Sequence, residues 1–329
     1  MPPSSLQSLL QPTLSQNSAR FSAVTQVLRY NGRDAGGRMF HRFVFHNTKL
    51  MPIEEARFSP GQAGLLNGWG LFTTLHIFDG EIFAFERHWK RLEKDAARTH
   101  CPLPFNAEKV RAQLLEVIRA NHVKEGCARI YAIYNQVGHW RSDESMPLVD
   151  LFLCSTDLPA YRQPARLNLR EHGRHAASPL AGVKVTSWLN NVWNLYEAQQ
   201  GGFDEVVLLN ERGEVSECTA ANVFCVRGGR VLTPPLTSGC LEGITRSILL
   251  EIGPRADIPC EEAVLRPADL FSAEEIFISS TNRTLLAIGE IAGHRYANAP
   301  GPITRRLDEA FTVYIKDYLA RSSAAAAKP

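Results

Sequence analysis

The alternation of apolar and polar positions predicts strands and helices across the first half of the chain. Strands are predicted in RFVFHNTKL, ARIYAIYNQVG and LVDLFLCST, and the runs LFTTLHIF and EIFAF around a DG turn predict a β-hairpin. One helix is predicted from near Glu86, and a second after Asn106, a favourable N-cap residue. Their predicted apolar faces are Phe85, Trp89, Leu92 and Ala96, and then Val110, Leu114, Val117 and Ile118.

The second half of the chain shows the same mixture of strands, turns and helices. A helix is predicted over about 189–200, ended by two glycines, and the turns NERG and RGG predict two hairpins. A further helix is predicted in GITRSILLEIG, a strand in AEEIFISST, and a closing helix over roughly 303–320. This mixture, without an internal repeat, predicts an α+β fold in two halves.

Composition shifts indicate where the domains begin and end. The first residues, MPPSSLQSLLQPTLSQNSARFSAV, are rich in Ser, Gln and Pro and lack the pattern of a signal peptide. The stretch DLPAYRQPARLN contains two prolines and separates the two halves. The predicted division is an extension over 1–38, a small domain over 39–155, a linker over 156–165, a large domain over 166–321 and a disordered tail over 322–329.

Overall composition narrows the classes of function. The 329 residues include 36 Lys and Arg against 34 Asp and Glu, which gives no electrostatic basis for binding nucleic acid. No apolar run approaches the roughly 20 residues that span a bilayer, so no membrane partner is expected. The seven cysteines are scattered and never form a C-x-x-C pair, which predicts no disulfide framework and no metal site and favours the cytoplasm.

Lys184 gives the first indication of chemistry. It lies in GVKVTSWLNN, a stretch with apolar neighbours and few other charges. A lysine in an apolar pocket loses solvation, its pKa falls, and the neutral amine can form a Schiff base with a carbonyl. A solvated surface lysine would explain the same residue when it is considered alone.

Three further features suit the cofactor pyridoxal 5'-phosphate. Glu217, on the return strand of a hairpin, is a carboxylate that can keep a pyridine nitrogen protonated. The run LEGITR opens a helix whose free N–H groups attract anions, and ISSTN places hydroxyl and amide groups at a strand end. Each feature alone is also explained as a surface residue, a helix cap or a loop.

The order of these features resembles one enzyme family. The matching positions are Lys184, Glu197, Ala198, the run GFDE, Glu217, Asn222, Thr233, Pro234 and LEGITR at 241–246. This order resembles the class IV aminotransferases, the fold-type IV pyridoxal phosphate enzymes that include branched-chain aminotransferases, D-amino acid aminotransferases and aminodeoxychorismate lyases. The resemblance spans roughly 40–318. It implies a two-domain, D-amino acid aminotransferase-like fold, with the cofactor between the domains and a homodimer whose active sites lie near the interface.

The resemblance also implies a role for each matched residue. Lys184 would be the Schiff-base lysine and proton shuttle, and Glu217 would pair with the pyridine nitrogen. Leu241 would pack on the ring, and ERHWKRL places Arg91 where the family has its phosphate-binding arginine. The remaining implied phosphate ligands are Ile244, Thr245, Ser280 and Thr281. An exposed helix arginine is the alternative for Arg91.

The motifs divide between members of the family. LFTTLHIF and SECTAANVF resemble the lyases, whereas SSTN resembles the transaminases. His76 stands where the family usually has an arginine, which leaves the group for the substrate carboxylate open. Arg129 is a candidate, and a salt bridge on an exposed strand face would explain it equally well. Phe72 and Trp188 are candidates for the pocket walls, which core packing would also explain.

The function predicted from the resemblance is that of a pyridoxal phosphate-dependent aminotransferase. It would transfer an amino group from an amino acid, of the branched-chain type, to a 2-oxo acid by a ping-pong mechanism. One alternative is an aminodeoxychorismate lyase that uses the same Lys184 and Glu217 and releases pyruvate. A second, from another class, is a pyridoxal phosphate-binding protein without turnover.

Overall fold

The structure is a computed structural model that describes residues 39–59, 61–137, 140–141 and 147–326. The predicted extension over 1–38 and the last residues of the predicted tail, 327–329, lie outside the described residues. Strands and helices are mixed along the described chain, so the predicted α+β class is confirmed. None of the described helices combines the length and apolarity needed to cross a lipid bilayer.

The first half forms a six-stranded antiparallel sheet in the order β2-β1-β8-β5-β3-β4. Its strands are β1 (Phe43–His46), β2 (Lys49–Pro52), β3 (Gly70–Phe78), β4 (Glu81–Ile82), β5 (Gly126–Tyr134) and β8 (Val149–Thr156), and β6 (Gln136–Val137) pairs separately with β7 (Trp140–Arg141). In the β3–β5 register, Phe72 lies opposite Tyr131 and Thr74 opposite Arg129. These four side chains therefore share one face of the sheet.

Two of the described helices, α2 (Phe85–Thr99) and α3 (Ala107–Ala120), cover the other face of this sheet. The short helix α1 (Ala63–Asn67) instead lies beside Ile133 and Tyr134 at the end of β5. The two predicted apolar faces are confirmed, because all eight of their residues are buried. The predicted N-cap is confirmed too, since the Asn106 side chain accepts a hydrogen bond from the Lys109 N–H at 2.9 Å.

The return strand of the first hairpin is shorter than predicted. EIFAF predicts five strand residues, but β4 contains only Glu81–Ile82. Phe83 still donates its N–H to the His76 carbonyl oxygen at 3.0 Å, and its ring packs against Tyr318, with 5.1 Å between ring centroids. Ala84 takes a left-handed φ of 54° as the N-cap of α2. The turn at Ala84 and the start of α2 at Phe85 therefore end the strand pairing.

The second half forms a nine-stranded mixed sheet in the order β11-β10-β9-β16-β15-β12-β13-β14, with β17 paired to β16. Its strands are β9 (Ala165–Arg170), β10 (Glu205–Leu209), β11 (Val215–Cys218), β12 (Asn222–Arg227), β13 (Arg230–Thr233), β14 (Cys260–Glu262), β15 (Glu275–Ser280), β16 (Thr284–Ile291) and β17 (His294–Arg295). Both predicted hairpins are confirmed. The parallel pairing of β9 with β10 and β16 joins distant segments and is not predicted by local patterns.

The helices of the second half are α4 (Leu189–Gln200), α5 (Ile244–Ile252), α6 (Pro267–Phe271) and α7 (Pro302–Ala326). The predicted positions of α4 and α5 are confirmed. Helix α7 continues beyond its predicted end near 320 and into the segment predicted to be disordered. The residues that it adds include an alanine run, and alanine has the highest helix propensity of the amino acids.

The segment that contains Lys184 bridges the two sheets. β8 ends at Thr156 in the first sheet and β9 begins at Ala165 in the second, so the predicted linker falls at this crossing. Further along the chain, Val185 forms an isolated antiparallel bridge with Leu71 of β3. Lys184 is thereby held at the boundary between the sheets. The domain limits themselves stay a prediction.

Candidate active site

A cavity of about 640 Å³ lies between the two sheets. Every site residue selected from the sequence lines it: Phe72, Arg91, Arg129, Lys184, Trp188, Glu217, Leu241, Ile244, Thr245, Ser280 and Thr281. These residues come from both halves, so neither half forms the cavity alone. Residues that line it without having been selected include Tyr161, Arg174, Asn191, Asn222 and Arg283.

Lys184 lies in an irregular segment, and two hydrogen bonds of its backbone hold that segment in place. The Phe72 N–H donates to the Lys184 carbonyl oxygen at 3.1 Å, and the Lys184 N–H donates to Oδ2 of the buried Asp95 at 3.2 Å. The Lys184 Nζ lies 4.3 Å from the centroid of the Phe72 ring and 5.9 Å from that of Trp188. The backbone of Lys184 is therefore held in place, and its amine lies near two aromatic rings.

The surroundings of Lys184 favour its neutral form. Burial, followed by the charge of Arg91, lowers the pKa of Lys184 to about 7, and Glu217 opposes this shift. Burial acts in this direction because an ammonium group loses hydration that the cavity walls do not replace. A lysine with this pKa is a nucleophile near neutral pH, which Schiff-base formation requires.

Glu217 is held through both of its carboxylate oxygens. It lies on β11 with 7% of its surface exposed, which excludes the alternative of a surface hairpin residue. Arg174 Nε donates to Oε1 at 3.0 Å, and the Leu241 N–H donates to Oε2 at 3.1 Å. The carboxylate is therefore oriented by the protein itself.

The N-terminus of α5 forms an end of the cavity that attracts anions. Its N-cap is Gly243, which has no side chain to bind the free N–H groups of Ile244 and Thr245. A Cβ atom at Gly243 would collide with the side-chain oxygen of Asn222, so the close approach requires glycine. The free N–H groups, the helix dipole and the Thr245 hydroxyl together suit a phosphate group.

Arg91 brings a full positive charge to this end of the cavity from the first half. Its Nη1 donates to the Glu242 carbonyl oxygen at 3.0 Å, and its Nη2 donates to Thr73 Oγ1 at 3.1 Å. Arg91 is only 8% exposed, so the alternative of an exposed helix arginine is wrong. Within the described residues it forms no ion pair with a carboxylate, which leaves its charge available to an anion.

His88 lies beside Arg91 and is linked to it through Thr73. The Thr73 hydroxyl accepts from Arg91 Nη2, and the same Oγ1 is hydrogen-bonded to His88 Nδ1 at 2.8 Å. Burial, together with the charges of Arg91 and Lys184, holds the pKa of His88 well below its usual value. His88 therefore stays neutral, and the positive charge remains on Arg91.

The first sheet also holds the second polar loop, which contributes Ser280 and Thr281. His76 Nδ1 donates to the Thr281 carbonyl oxygen at 2.8 Å, and Cys127 Sγ donates to the Asn282 side-chain oxygen at 2.9 Å. His76 and Cys127 are direct partners in the β3–β5 register. His76, at the position where the family usually has an arginine, therefore contacts this loop and is absent from the cavity lining among the described residues.

Arg129 faces the cavity without a carboxylate partner among the described residues. It lies on β5 opposite Thr74, is half-buried, and donates from Nη1 to the Tyr131 hydroxyl at 3.3 Å. The alternative of a strand-face salt bridge is thus not observed in this part of the chain. Arg283, by contrast, is paired with Glu205 at 3.1 Å. Arg129 is a cation that a ligand carboxylate can reach.

Comparison with known proteins identifies the family. The Amino-transferase class IV family model matches residues 70–291. The chain belongs to the class IV aminotransferase family. It is 29% identical over 276 residues to a putative branched-chain-amino-acid aminotransferase of Methanocaldococcus jannaschii, which covers 82% of this chain and 94% of that protein. It is 26% identical over 284 residues to a D-alanine aminotransferase of Staphylococcus haemolyticus, with coverage of 83% and 98%.

A solved structure supports the same assignment. The branched-chain aminotransferase from Thermoproteus uzoniensis, crystallised with norvaline, superposes with a TM-score of 0.77 at 28% sequence identity. The superposition covers 85% of this class IV aminotransferase and 98% of that chain. The fold-type IV architecture predicted from the sequence is therefore confirmed.

Two residues that shape the site of this class IV aminotransferase were missed in the sequence. Asp95 fixes the Lys184 backbone, and Arg174 binds the Glu217 carboxylate. Asp95 could have been recognised from a local pattern in the sequence, because it lies one helical turn after Arg91. No local pattern indicates Arg174, since it lies in an irregular segment and its partner Glu217 is 43 positions away.

Proposed function

We propose that this class IV aminotransferase binds pyridoxal 5'-phosphate and transfers an amino group from an amino acid to a 2-oxo acid by a ping-pong mechanism. The observation that carries the proposal is that the Lys184 amine, with its lowered pKa, faces the same cavity as an anion-attracting helix end. The names of the relatives support amino acids as substrates. A branched-chain amino acid is the proposed donor.

The residues of the cavity fit each part of this cofactor. Lys184 would offer an amine to the aldehyde, Glu217 would offer an acceptor to the protonated ring nitrogen, and Leu241 would pack on the ring. A phosphate dianion needs more than the partial charges of a helix N-terminus, and Arg91 supplies a full charge. The proposed phosphate ligands are Arg91, Ile244, Thr245, Ser280 and Thr281.

The proposed chemistry divides between the cofactor and the side chains. Pyridoxal phosphate supplies an electron sink for the negative charge that develops at the substrate Cα. Lys184 would take the proton from the substrate Cα and hold it for return. A pKa of about 7 suits both directions, because a general acid–base works best near the working pH. Glu217 would keep a proton at the ring nitrogen through a charge-assisted hydrogen bond.

The walls near Lys184 suit an amino acid with an apolar side chain. The Phe72 ring stacks on Tyr131 with 5.6 Å between centroids, and Trp188 meets Phe72 edge-on at 6.0 Å. Aromatic faces offer apolar surface to a branched side chain. Arg129 is the proposed group for the substrate carboxylate, since its guanidinium has no carboxylate partner in the described structure.

A half-reaction assay tests the proposed function. Holoenzyme is mixed with single L- or D-amino acids, and the absorbance of the bound cofactor is followed. A branched-chain donor should convert the cofactor to its amine form and release a 2-oxo acid, and 2-oxoglutarate should reverse the change. Release of pyruvate from aminodeoxychorismate without amino transfer would instead establish the lyase. No change with any donor would leave a binding protein without turnover.

Arg129→Gln is expected to weaken the use of amino acids by removing the contact with their carboxylate. A hydrogen bond to a charged group is worth about 1.5–3 kcal/mol, so kcat/KM for leucine should fall about 10- to 150-fold. The measurement compares leucine with 3-methylbutylamine, which has the same side chain and no carboxylate. The value for the amine should change less than about two-fold, since it never made this contact.

Arg162→Gln is the matched control for this substitution. Arg162 lines the same cavity, and its side chain is 54% exposed at the rim. Its loss should leave kcat/KM for leucine and for the amine nearly unchanged, because exposed charges contribute little to binding. Equal losses for leucine and the amine in Arg129→Gln would contradict the carboxylate role.

An apolar face on α4 supports the proposed homodimer. The face consists of four exposed side chains, Leu189, Val192, Trp193 and Tyr196. Their spacing places them on one stripe of the helix. The α4 face begins immediately after Trp188, which lines the cavity. A second group of exposed apolar side chains lies nearby, because Ser187 packs against Gly68. This second group comprises Leu65, Leu66 and Trp69. A second copy covering the α4 face would lie next to the cavity mouth.

Trp193→Asp is expected to convert the protein to a monomer, because association would bury an unpaired carboxylate. Light scattering after size exclusion should give twice the chain mass of 36.6 kDa for wild type and the single mass for the variant. Val313→Asp is the control, since Val313 is an exposed apolar residue on α7 outside the α4 face. Retention of the dimer by Trp193→Asp would contradict this interface.

The cysteines support the proposed cytoplasmic location. All seven are unpaired, and six of them are buried. Free thiols are typical of a reducing compartment. Among the described residues, His, Cys, Asp and Glu side chains form no group of three that could bind a metal ion.

A further inference from the structure

A chain of hydrogen bonds fixes Arg174 against Glu217 in the cavity wall. The two side chains are 18% and 9% exposed, and Arg174 Nε lies 3.0 Å from Glu217 Oε1. Arg174 Nη1 donates to Asn191 Oδ1 at 2.8 Å, and Asn191 Nδ2 donates to the Thr219 carbonyl oxygen at 2.6 Å. The Arg174 N–H donates to the Leu209 carbonyl oxygen at 3.1 Å. Both the backbone and the guanidinium of Arg174 are therefore held in place.

Glu217 retains acceptor capacity after these contacts. Its two oxygens provide about four lone-pair sites, and the hydrogen bonds from Arg174 and the Leu241 N–H use one site on each oxygen. Either oxygen can still accept a hydrogen bond from a ring N–H group. The contact with Arg174 is thus compatible with a contact between Glu217 and a cofactor.

A carboxylate that shares a proton with a pyridine nitrogen has two states. The proton lies on the nitrogen beside a charged carboxylate, or on the carboxylate beside a neutral ring. A cation in contact with the carboxylate favours the first state, because it stabilises the negative charge more than it destabilises a positive charge farther away. Arg174 touches the carboxylate directly and so favours the protonated ring.

We propose that Arg174 is a positioning residue that keeps Glu217 charged and oriented, so that the proton stays on the cofactor ring nitrogen. This proposal rests on the proposed function, in which Glu217 faces that nitrogen. A protonated ring is the stronger electron sink, so Arg174 assists removal of the Cα proton without touching the substrate.

The position of the proton is measured by ¹⁵N NMR of holoprotein reconstituted with pyridoxal phosphate labelled at the ring nitrogen. Wild type is expected to give a shift in the protonated range, and Arg174→Met a shift toward the unprotonated range. Arg174→Lys should recover part of the change, since it restores the charge but not the planar contact with both Glu217 and Asn191. Asn191→Ala, which frees one end of the guanidinium, should give a smaller shift in the same direction as Arg174→Met.

Binding of pyridoxal phosphate to apoprotein gives a second reading that does not depend on activity. Arg174→Met should raise the Kd by about 10-fold, because a Glu217 carboxylate that is no longer held in place makes a weaker charged hydrogen bond to the ring nitrogen. In a Glu217→Gln background the same substitution should raise the Kd less than about two-fold, because the charge that Arg174 supports is absent. An equal loss in both backgrounds would show that Arg174 acts through local folding and would overturn the proposal.

The matched control is Arg212→Met. Arg212 pairs with Glu214 at 2.7 Å on the hairpin that also carries Glu217, but it is absent from the cavity lining of the described residues. Its loss should leave the ¹⁵N shift unchanged. A protonated wild type with an identical Arg174→Met spectrum would refute the Arg174 proposal alone. An unprotonated ring in wild type would refute the proposed role of Glu217 together with it.

Discussion

Lys184→Ala is expected to abolish amino transfer and the covalent retention of pyridoxal phosphate. Lys184 supplies the amine that the proposed cofactor attachment needs and the base that removes the Cα proton. General acid–base catalysis alone contributes about 10²- to 10⁴-fold, so the rate of the half-reaction should fall by at least about 10⁴-fold when both roles are lost. The measurements are stopped-flow half-reactions with a branched-chain donor and cofactor absorbance after gel filtration.

Lys90→Ala is the control for this variant. Lys90 lies exposed on α2, directly before Arg91 in the chain. It should retain the wild-type rate and colour. A Lys184→Ala protein that keeps a comparable half-reaction rate would remove Lys184 from the chemistry.

The pH dependence of cofactor capture gives a second test of Lys184. Because its pKa is lowered to about 7, the reactive neutral amine should appear as pH rises through about 7. Covalent capture of pyridoxal phosphate by apoprotein should therefore accelerate up to about pH 8 and then level off. A rate that keeps rising toward pH 10 would indicate a lysine with the usual pKa of 10.5.

The same shift makes the stability of the apoprotein depend on pH. Between about pH 7 and the usual lysine pKa of 10.5, the unfolded chain binds a proton at Lys184 that the folded chain does not. The free energy of unfolding should therefore rise with pH across this window, and the stability is lost as pH falls. Lys184→Met, which cannot bind this proton, should show a flatter dependence in thermal melts of the apoprotein.

Arg91→Ala is expected to weaken pyridoxal phosphate binding by about 10- to 150-fold, because a charged hydrogen bond contributes about 1.5–3 kcal/mol. The physical reason is that the N-terminus of α5 supplies only partial charges to a phosphate dianion. Arg91→Lys should recover only part of the affinity, since an ammonium group cannot reproduce the two-pronged guanidinium. The measurement is the Kd from titration of apoprotein with pyridoxal phosphate.

Arg87→Ala is the matched control for Arg91. Arg87 lies one helical turn earlier on α2 and also reaches the second half, where it pairs with Glu251 at 2.7 Å. The two side chains of that pair are 31% and 42% exposed, so loss of the pair should change the Kd less than about two-fold. Because Arg91 is buried, its replacement also changes the stability of the apoprotein. The titrations are therefore made well below the melting temperature of the least stable variant. Equal Kd values for the Arg87 and Arg91 variants would place the phosphate elsewhere.

Local patterns in the sequence predicted much of the fold for identifiable physical reasons. The apolar faces of α2 and α3 repeat at helical spacing, and Asn106 caps its helix within three residues. The length of β4 was not predicted, because the chain turns at Ala84 into α2 while the Phe83 ring packs against Tyr318 of α7. Contacts of that kind depend on how distant elements meet.

In the candidate site too, some features follow from local sequence and others from contacts between distant residues. Gly243 at the start of α5 marks the anion end of the cavity, and this signal lies within a few adjacent residues. The contacts that orient the site join positions far apart. Asp95 reaches Lys184 across 89 positions, and His76 reaches Thr281 across 205. No local pattern predicts such pairs, so the sequence predicted side chains that line the cavity but not the contacts that hold them.

The most direct test of the central claim is the chemical identification of the residue that binds the cofactor. Wild-type holoprotein is reduced with borohydride, digested, and analysed by mass spectrometry for the pyridoxyl group. The label is expected on the peptide that contains Lys184, because this amine faces the cavity with a pKa of about 7. A label on another lysine, such as the exposed Lys94, or no label at all, would contradict the assignment of Lys184 and with it the proposed active site.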